Sequence, residues 1–125
     1  MNADDVLRRY QDLPDFAGID LSDVNQAGIF GDAPIHVAAN RGRTDEITAL
    51  LDGGADANAS GELGNTPLHE AVMQNRIEAV RLLMERGADP QRKNEFGGSP
   101  LDAARSRQNR RLVRLLEGGA PTRRR

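Results

Sequence analysis

Cysteine and tryptophan are absent, lysine is reduced to Lys93, and Tyr10 with three phenylalanines is the whole aromatic content. Without cysteine there can be no disulfide, no zinc knuckle and no thiol nucleophile. So few rings suit helices packed closely on alanine and leucine. No run of about 18 apolar residues is available to span a bilayer. The opening Met1-Asn2-Ala3-Asp4-Asp5 lacks the basic and apolar regions of a secretory leader. A soluble, cytoplasmic protein is the expectation. The near-exclusive use of arginine as the basic residue fits GC-rich bacterial coding.

The net charge of −2 conceals a gradient along the chain. Residues 1–31 set Arg8 and Arg9 against six aspartates, a net of −4, whereas residues 101–125 carry eight arginines against Asp102 and Glu117, a net of +6. A molecule acidic at one end and basic at the other carries a field that can steer a charged partner.

What the chain does contain is a repeat. Pro34, Pro67 and Pro100 are 33 residues apart. In the same register fall Ile35/Leu68/Leu101, Ala38/Ala71/Ala104, Ile47/Val80/Val113, Leu50/Leu83/Leu116 and, three residues before each proline, Gly31/Gly64/Gly97. A period of this length over several independent columns belongs to the helix-pair solenoids. With 125 residues there is room for three repeats and a cap in one domain, stabilised by stacking of neighbours around no single central core.

Asn65-Thr66-Pro67-Leu68-His69-Glu70-Ala71, followed by Leu82-Leu83 and Gly87-Ala88-Asp89, resembles the helix start and helix end of the ankyrin-repeat family. The resemblance covers roughly residues 20–120. It is complete only in the central copy: Ala33 replaces the threonine in the first copy, and Asp102 replaces the histidine in the third. The fold expected is an all-α ankyrin-repeat solenoid of helix-turn-helix repeats with β-turn fingers. The divisions expected are 1–25 for an N-terminal helical cap and connector, 26–58, 59–91 and 92–121 for the repeats, and 122–125 for a tail.

In chain order, residues 2–13 read as an amphipathic helix capped by Asn2, with Val6, Leu7, Tyr10 and Leu13 on one stripe and Pro14 as its stop. Phe16, Ile19 and Leu21 are expected to tuck against the first repeat. Each repeat opens with a glycine-bearing turn, then a first helix starting at its proline, where a missing N–H is no loss. Thr66 and Ser99 can cap that helix; Ala33 cannot, at a cost of about 0.5–2 kcal/mol. Gly42, Asn75 or Gln108 makes the turn into second helices over 44–52, 77–86 and 110–117, which bury the Ile47/Leu50, Val80/Leu83 and Val113/Leu116 pairs. Arg105 and Arg110 replace Val72 and Ile77 of the central copy, which a solvent-facing end repeat requires.

Catalytic and metal chemistry find little to work with. His36 and His69 share a repeat column and so lie about one repeat apart, too far to bind one metal ion; the resemblance implies that each imidazole orders its turn and helix start. No carboxylate pair flanks a nucleophile, and the glycine-rich pieces lack the Lys-Ser/Thr of a phosphate loop. Arg123-Arg124-Arg125 has no aromatic interleaving to suggest nucleic-acid binding, so a solvated tail is expected. No enzyme activity, cofactor, metal or small-molecule substrate is expected.

The resemblance implies instead that a partner protein is gripped by the finger tips and the exposed side of the first helices. Those positions are Ile29, Phe30, Asp32, Asn40 and Arg41 in the first copy, Glu62, Leu63, Asn65, Met73 and Gln74 in the second, and Glu95, Phe96, Ser106 and Arg107 in the third. Phe30, Leu63 and Phe96 occupy one column and should form an apolar row with a polar rim, as interfaces do; the competing arrangement packs finger against finger and hides them. The expected function is non-enzymatic binding of another protein by a chain that is monomeric when unbound. As a binding rod with no effector domain it is expected to act by occupancy, as an inhibitor or immunity protein against a bacterial toxin or enzyme, with a basic partner favoured by the acidic N-terminal half. A multi-partner assembly adaptor is the alternative, and a small hydrolase or metal enzyme stands behind both.

Overall fold

Proline at the first helical position fixes where three of the helices begin, because its φ is already helical and its missing N–H would have had no partner. In the computed structural model, which describes residues 1–118, those helices are α2 (Pro34–Arg41), α4 (Pro67–Met73) and α6 (Pro100–Ser106). Each is followed by a second helix, α3 (Thr44–Asp52), α5 (Ile77–Glu85) or α7 (Arg110–Gly118). Ahead of them stands α1 (Ala3–Tyr10), with one-turn 3-10 helices at Pro14–Phe16 and Glu62–Gly64. No strand occurs among the described residues. The expected tail at 122–125, and the end of the third repeat beyond Gly118, lie outside the described residues.

The helices stack in two rows. α2, α4 and α6 pack side by side in one, and α1, α3, α5 and α7 in the other, with each pair bridging the rows. The two helices of a pair are joined where the chain turns left-handed, at Gly42 (φ 73°), Asn75 (φ 57°) and Gln108 (φ 56°), the same column in all three copies. Between the rows lie Ile35, Ala38, Ile47 and Leu50 and their equivalents Leu68, Ala71, Val80 and Leu83, all fully buried. The alanines let first helices approach closely, and each buried leucine or isoleucine contributes about 1.5–3 kcal/mol.

The third copy departs from its expected pattern. Leu112 is fully buried and Leu116 nearly so, but Val113 is only partly buried. No further helix pair among the described residues covers that side of α7, which leaves Val113 partly open, while Leu112 fills the column that Glu46 and Ala79 also bury.

The cap is shorter than expected, ending at Tyr10 and not near residue 13. Asn2 and Asp5 form a reciprocal capping box, Asn2 Oδ1 accepting the Asp5 N–H at 3.0 Å and Asp5 Oδ2 accepting the Asn2 N–H at 2.9 Å. Gln11 ends the helix by turning its amide to the connector, where it donates to the Ile19 carbonyl and accepts the Leu21 N–H. Phe16 and Leu21 are buried as expected, and Ile19 is half-buried. Because α1 sits beside α3 in the second-helix row, it covers the apolar side that a preceding repeat would have covered.

The cap is fastened by a carboxylate. Glu46, on α3, is 2 % exposed; it accepts the Tyr10 hydroxyl proton at one oxygen, while Arg9 (3.3 Å) and Arg43 (3.7 Å) face the other. Burial, and then the hydrogen bond to Glu46, push the Tyr10 phenol far above its usual range. The Arg41 guanidinium lies 5.5 Å from the Tyr10 ring centroid, and Phe16 stacks on the same ring with centroids 6.5 Å apart. Removing the hydroxyl by Tyr10→Phe leaves a buried carboxylate oxygen short of a donor. A loss of about 1–3 kcal/mol is expected, read as faster hydrogen exchange of the α1 amides relative to those of α4.

The weak first helix start is a second testable point. Ala33 (φ −83°, ψ 166°) has the backbone of Thr66 (φ −90°, ψ 168°) but offers no side-chain oxygen. Ala33→Thr should supply the acceptor that Thr66 gives the His69 N–H, and raise the unfolding free energy by about 0.5–2 kcal/mol in urea titration.

Candidate functional site

The fingers are rigid because each is closed on itself and tied to its neighbour. Gly28, Gly61 and Asn94 donate their N–H groups to the carbonyls of Asp32, Asn65 and Gly98, at 2.8, 2.7 and 2.8 Å. One residue further on, in all three copies, an N–H reaches back to the preceding element. Ile29 donates to the Asp15 carbonyl at 2.8 Å, Glu62 to Asp32 Oδ1 at 2.8 Å, and Glu95 to the Leu63 carbonyl at 3.0 Å. Gly61 makes the second link possible, since a Cβ there would run into Asp32 Oδ1 and the His36 ring.

The two histidines do more than order their own turns. In each, Nδ1 accepts the backbone N–H of its own helix cap, from Ala33 at 3.0 Å and from Thr66 at 2.9 Å. That leaves the proton on Nε2, which donates across to the next finger, at Ala59 O (2.8 Å) for His36 and Gly98 O (2.9 Å) for His69. Asp102, in the third copy, keeps only the local half of this arrangement. It accepts the Ser99 N–H at 3.0 Å, and its own N–H donates to Ser99 Oγ at 3.0 Å; a carboxylate has no proton to pass onward.

The fourteen residues expected to meet a partner divide on this frame. Ile29, Phe30, Glu62, Leu63, Gln74, Glu95, Phe96 and Ser106 are exposed, and Met73 is half-buried. Phe30 and Phe96 are 55 % and 77 % exposed, so the column does not pack finger against finger.

Five of the fourteen are engaged inside the molecule. Asn65 is buried, with Oδ1 accepting from Asn94 Nδ2 at 2.9 Å, and Asp32 holds the Glu62 N–H. The Asn40 amide donates to Glu70 Oε1 at 2.9 Å. Arg107 donates to the Met73 carbonyl, and Arg41 lies over Tyr10.

Sequence reasoning passed over Glu70, which sits half-buried on α4 among these residues. Burial is the main cause that raises its pKa above the ordinary carboxylate value; Asp32 and Glu62 push the same way, against the Asn40 hydrogen bond. Its column neighbours Val37 and Ala103 carry no charge, so nothing in the repeat pattern singles it out.

Among the described residues, no group of three or more His, Asp or Glu side chains is placed to share a metal ion. No described helix is long and apolar enough to cross a membrane. A groove away from the fingers lies between α5 and α7, lined by Arg81, Met84, Arg111, Arg114 and Leu115.

A family model described as ankyrin repeats (3 copies) matches residues 11–94, about two-thirds of the chain. The chain belongs to the ankyrin-repeat family. No curated protein matches it. The matched span stops within the third finger, yet α6 and α7 continue the ankyrin pattern with the same proline start, left-handed turn and row packing. Ankyrin repeats are protein–protein interaction modules, and the family is typically non-enzymatic.

The imidazole bridge makes the ankyrin stack sensitive to acid. Burial holds the His69 pKa below 6.5, and a protonated Nδ1 could not accept the Thr66 N–H. The unfolded chain therefore binds the proton first, so stability present above about pH 6.5 is lost as pH falls toward the lower folded value. Urea midpoints should decline as pH falls below about 6.5, and the His69 ring should titrate below 6.5 by NMR; titration above 6.5 would contradict the bridge.

Proposed function

We propose that this ankyrin-repeat chain binds another protein on the finger tips and the adjoining side of α2, α4 and α6, and acts on that partner by covering its surface. The observation that carries this reading is the row of Phe30, Leu63 and Phe96, one apolar residue per finger, held out in solvent by fingers that are each closed on themselves and tied to the preceding element by hydrogen bonds. Solvent-exposed aromatics on a preformed frame are well suited to be the hot spots of an interface, and a frame already ordered loses little conformational entropy on binding. The action proposed is inhibition by occupancy, of the kind an immunity protein exerts on a toxin or enzyme. The acidic first 31 residues favour a basic partner through faster encounter.

Phe30→Ser/Phe96→Ser leaves every hydrogen bond named above in place, so the helical circular dichroism and melting midpoint should match the wild type. Affinity for a partner captured from the source cell should fall by about 30-fold or more, the effect of losing a hot spot of about 2 kcal/mol. Equal capture by both forms would overturn the assignment of the surface. Stoichiometric addition of the wild-type chain to the captured partner should abolish that partner's activity; undiminished activity would replace inhibition with assembly.

A further inference from the structure

This inference rests on the finger-row reading above and adds the chemistry of the partner. Ile29, Phe30, Leu63 and Phe96 are 55, 55, 47 and 77 % exposed. Leu63 is the most informative of them. Its backbone is left-handed (φ 58°, ψ 19°), a region that costs a bulky side chain about 1–2 kcal/mol and glycine almost nothing. Its carbonyl holds the Glu95 N–H, a task any residue could perform. The leucine side chain is thus kept in a strained place, facing solvent, in the column of Phe30 and Phe96.

The charges around that row are unbalanced. The described ion pairs engage Asp5, Asp45, Glu46, Asp52, Glu78 and Glu117. Asp32, Glu62, Glu70 and Glu95 take part in none. Oε1 of Glu70 accepts from Asn40, and Oε2 has no hydrogen-bond partner among the described residues. Nearby arginines are turned to other work: Arg76 Nε donates to the Asn40 carbonyl at 3.0 Å, Arg107 to that of Met73, and Arg41 covers Tyr10. An apolar row therefore runs beside carboxylates that form no ion pair among the described residues.

We propose that this surface takes a cationic amphipathic segment of a partner protein, with its apolar side chains on Phe30, Leu63 and Phe96 and a lysine or arginine on the free oxygen of Glu70. Neighbouring helices pack about 8–10 Å apart, so the three-finger row spans about 20 Å. A helix of about 14 residues has that length.

The probe is a labelled 14-residue helical peptide of leucine on one face and lysine on the other, compared with a leucine/glutamate and a serine/lysine counterpart by fluorescence anisotropy at low salt. The leucine/lysine peptide should bind saturably, the serine/lysine peptide at least tenfold more weakly, and the leucine/glutamate peptide not at all. Glu70→Gln and Phe30→Ser/Phe96→Ser should each weaken the leucine/lysine peptide at least tenfold, while Asp12→Asn/Asp20→Asn in the connector leaves it unchanged. Glu70→Gln should also raise the melting midpoint of the free chain at neutral pH. A carboxyl with a raised folded pKa loses stability as pH climbs past its unfolded value, and the amide removes that loss.

Unchanged peptide affinity in Glu70→Gln, or an equal loss from the connector substitutions, would overturn the proposal, since the peptide would then report net charge alone. If the phenylalanine pair still governs capture of the natural partner in that case, the finger row stands and only the cationic chemistry falls. If the phenylalanine pair has no effect on capture, the finger row falls with it.

Discussion

A buried imidazole with one nitrogen accepting and the other donating is the constraint on which the regular stack depends. A cap N–H pointing at Nδ1 fixes the tautomer, and the tautomer fixes what Nε2 can do, so each histidine is committed to a carbonyl on the following finger. One side chain thereby couples the start of its own helix to the placement of the next repeat. Metal ligation and acid–base catalysis are unsuited to such a group, because both ring nitrogens are already occupied by backbone.

A second periodic link reinforces the first. Asn25 and Asn58 each donate to the carbonyl of the glycine closing a second-helix turn, Gly54 and Gly87, and each accepts an N–H from the residue two further on, Asp56 and Asp89. The third member of that column is Gln91, as the third member of the histidine column is Asp102. Both onward-reaching groups are replaced together in the copy that has no following finger among the described residues. The same logic governs the other end, where Glu46 of α3 receives hydrogen bonds from a cap that does not belong to the repeat register. Stability in such a stack is a sum of nearest-neighbour terms, and the links show which atoms carry them.

The repeat period made the helix pairs, their proline starts, their left-handed turns and the apolar tip column legible in the sequence, because each rests on a local backbone requirement or on burial that recurs every 33 residues. What was not legible is where copies differ. Glu46 reads as surface charge in Thr44-Asp45-Glu46-Ile47; Ala79 and Leu112 in its column are buried too, but only Glu46 is an acceptor there, met by Tyr10 from outside the period. Asn65 stands in a column with Asp32 and Gly98, and is taken inward by the Asn94 side chain. Val113 follows Ile47 and Val80 in sequence but lacks their neighbour and stays partly open, whereas Leu112 is buried like Ala79 and Glu46 of its own column. Glu70 falls in a column of Val37 and Ala103, where no repetition could draw attention to it.

The division of labour between frame and surface follows from these differences. The fingers are closed by backbone hydrogen bonds and by the Asp32, Asn65 and Asn94 side chains, so the side chains of Phe30, Leu63 and Phe96 take no part in those links. Freed positions would ordinarily drift toward polar residues, which solvate well, or toward glycine, which costs almost nothing in the left-handed region. Phenylalanine at Phe30 and Phe96, and leucine in the strained conformation of Leu63, run against both tendencies. Free carboxylates beside them, in a chain with arginines spent on carbonyls and on Tyr10, run against the tendency of charges to pair. Local preferences that fail together at one surface are what the proposed contact with a partner would account for.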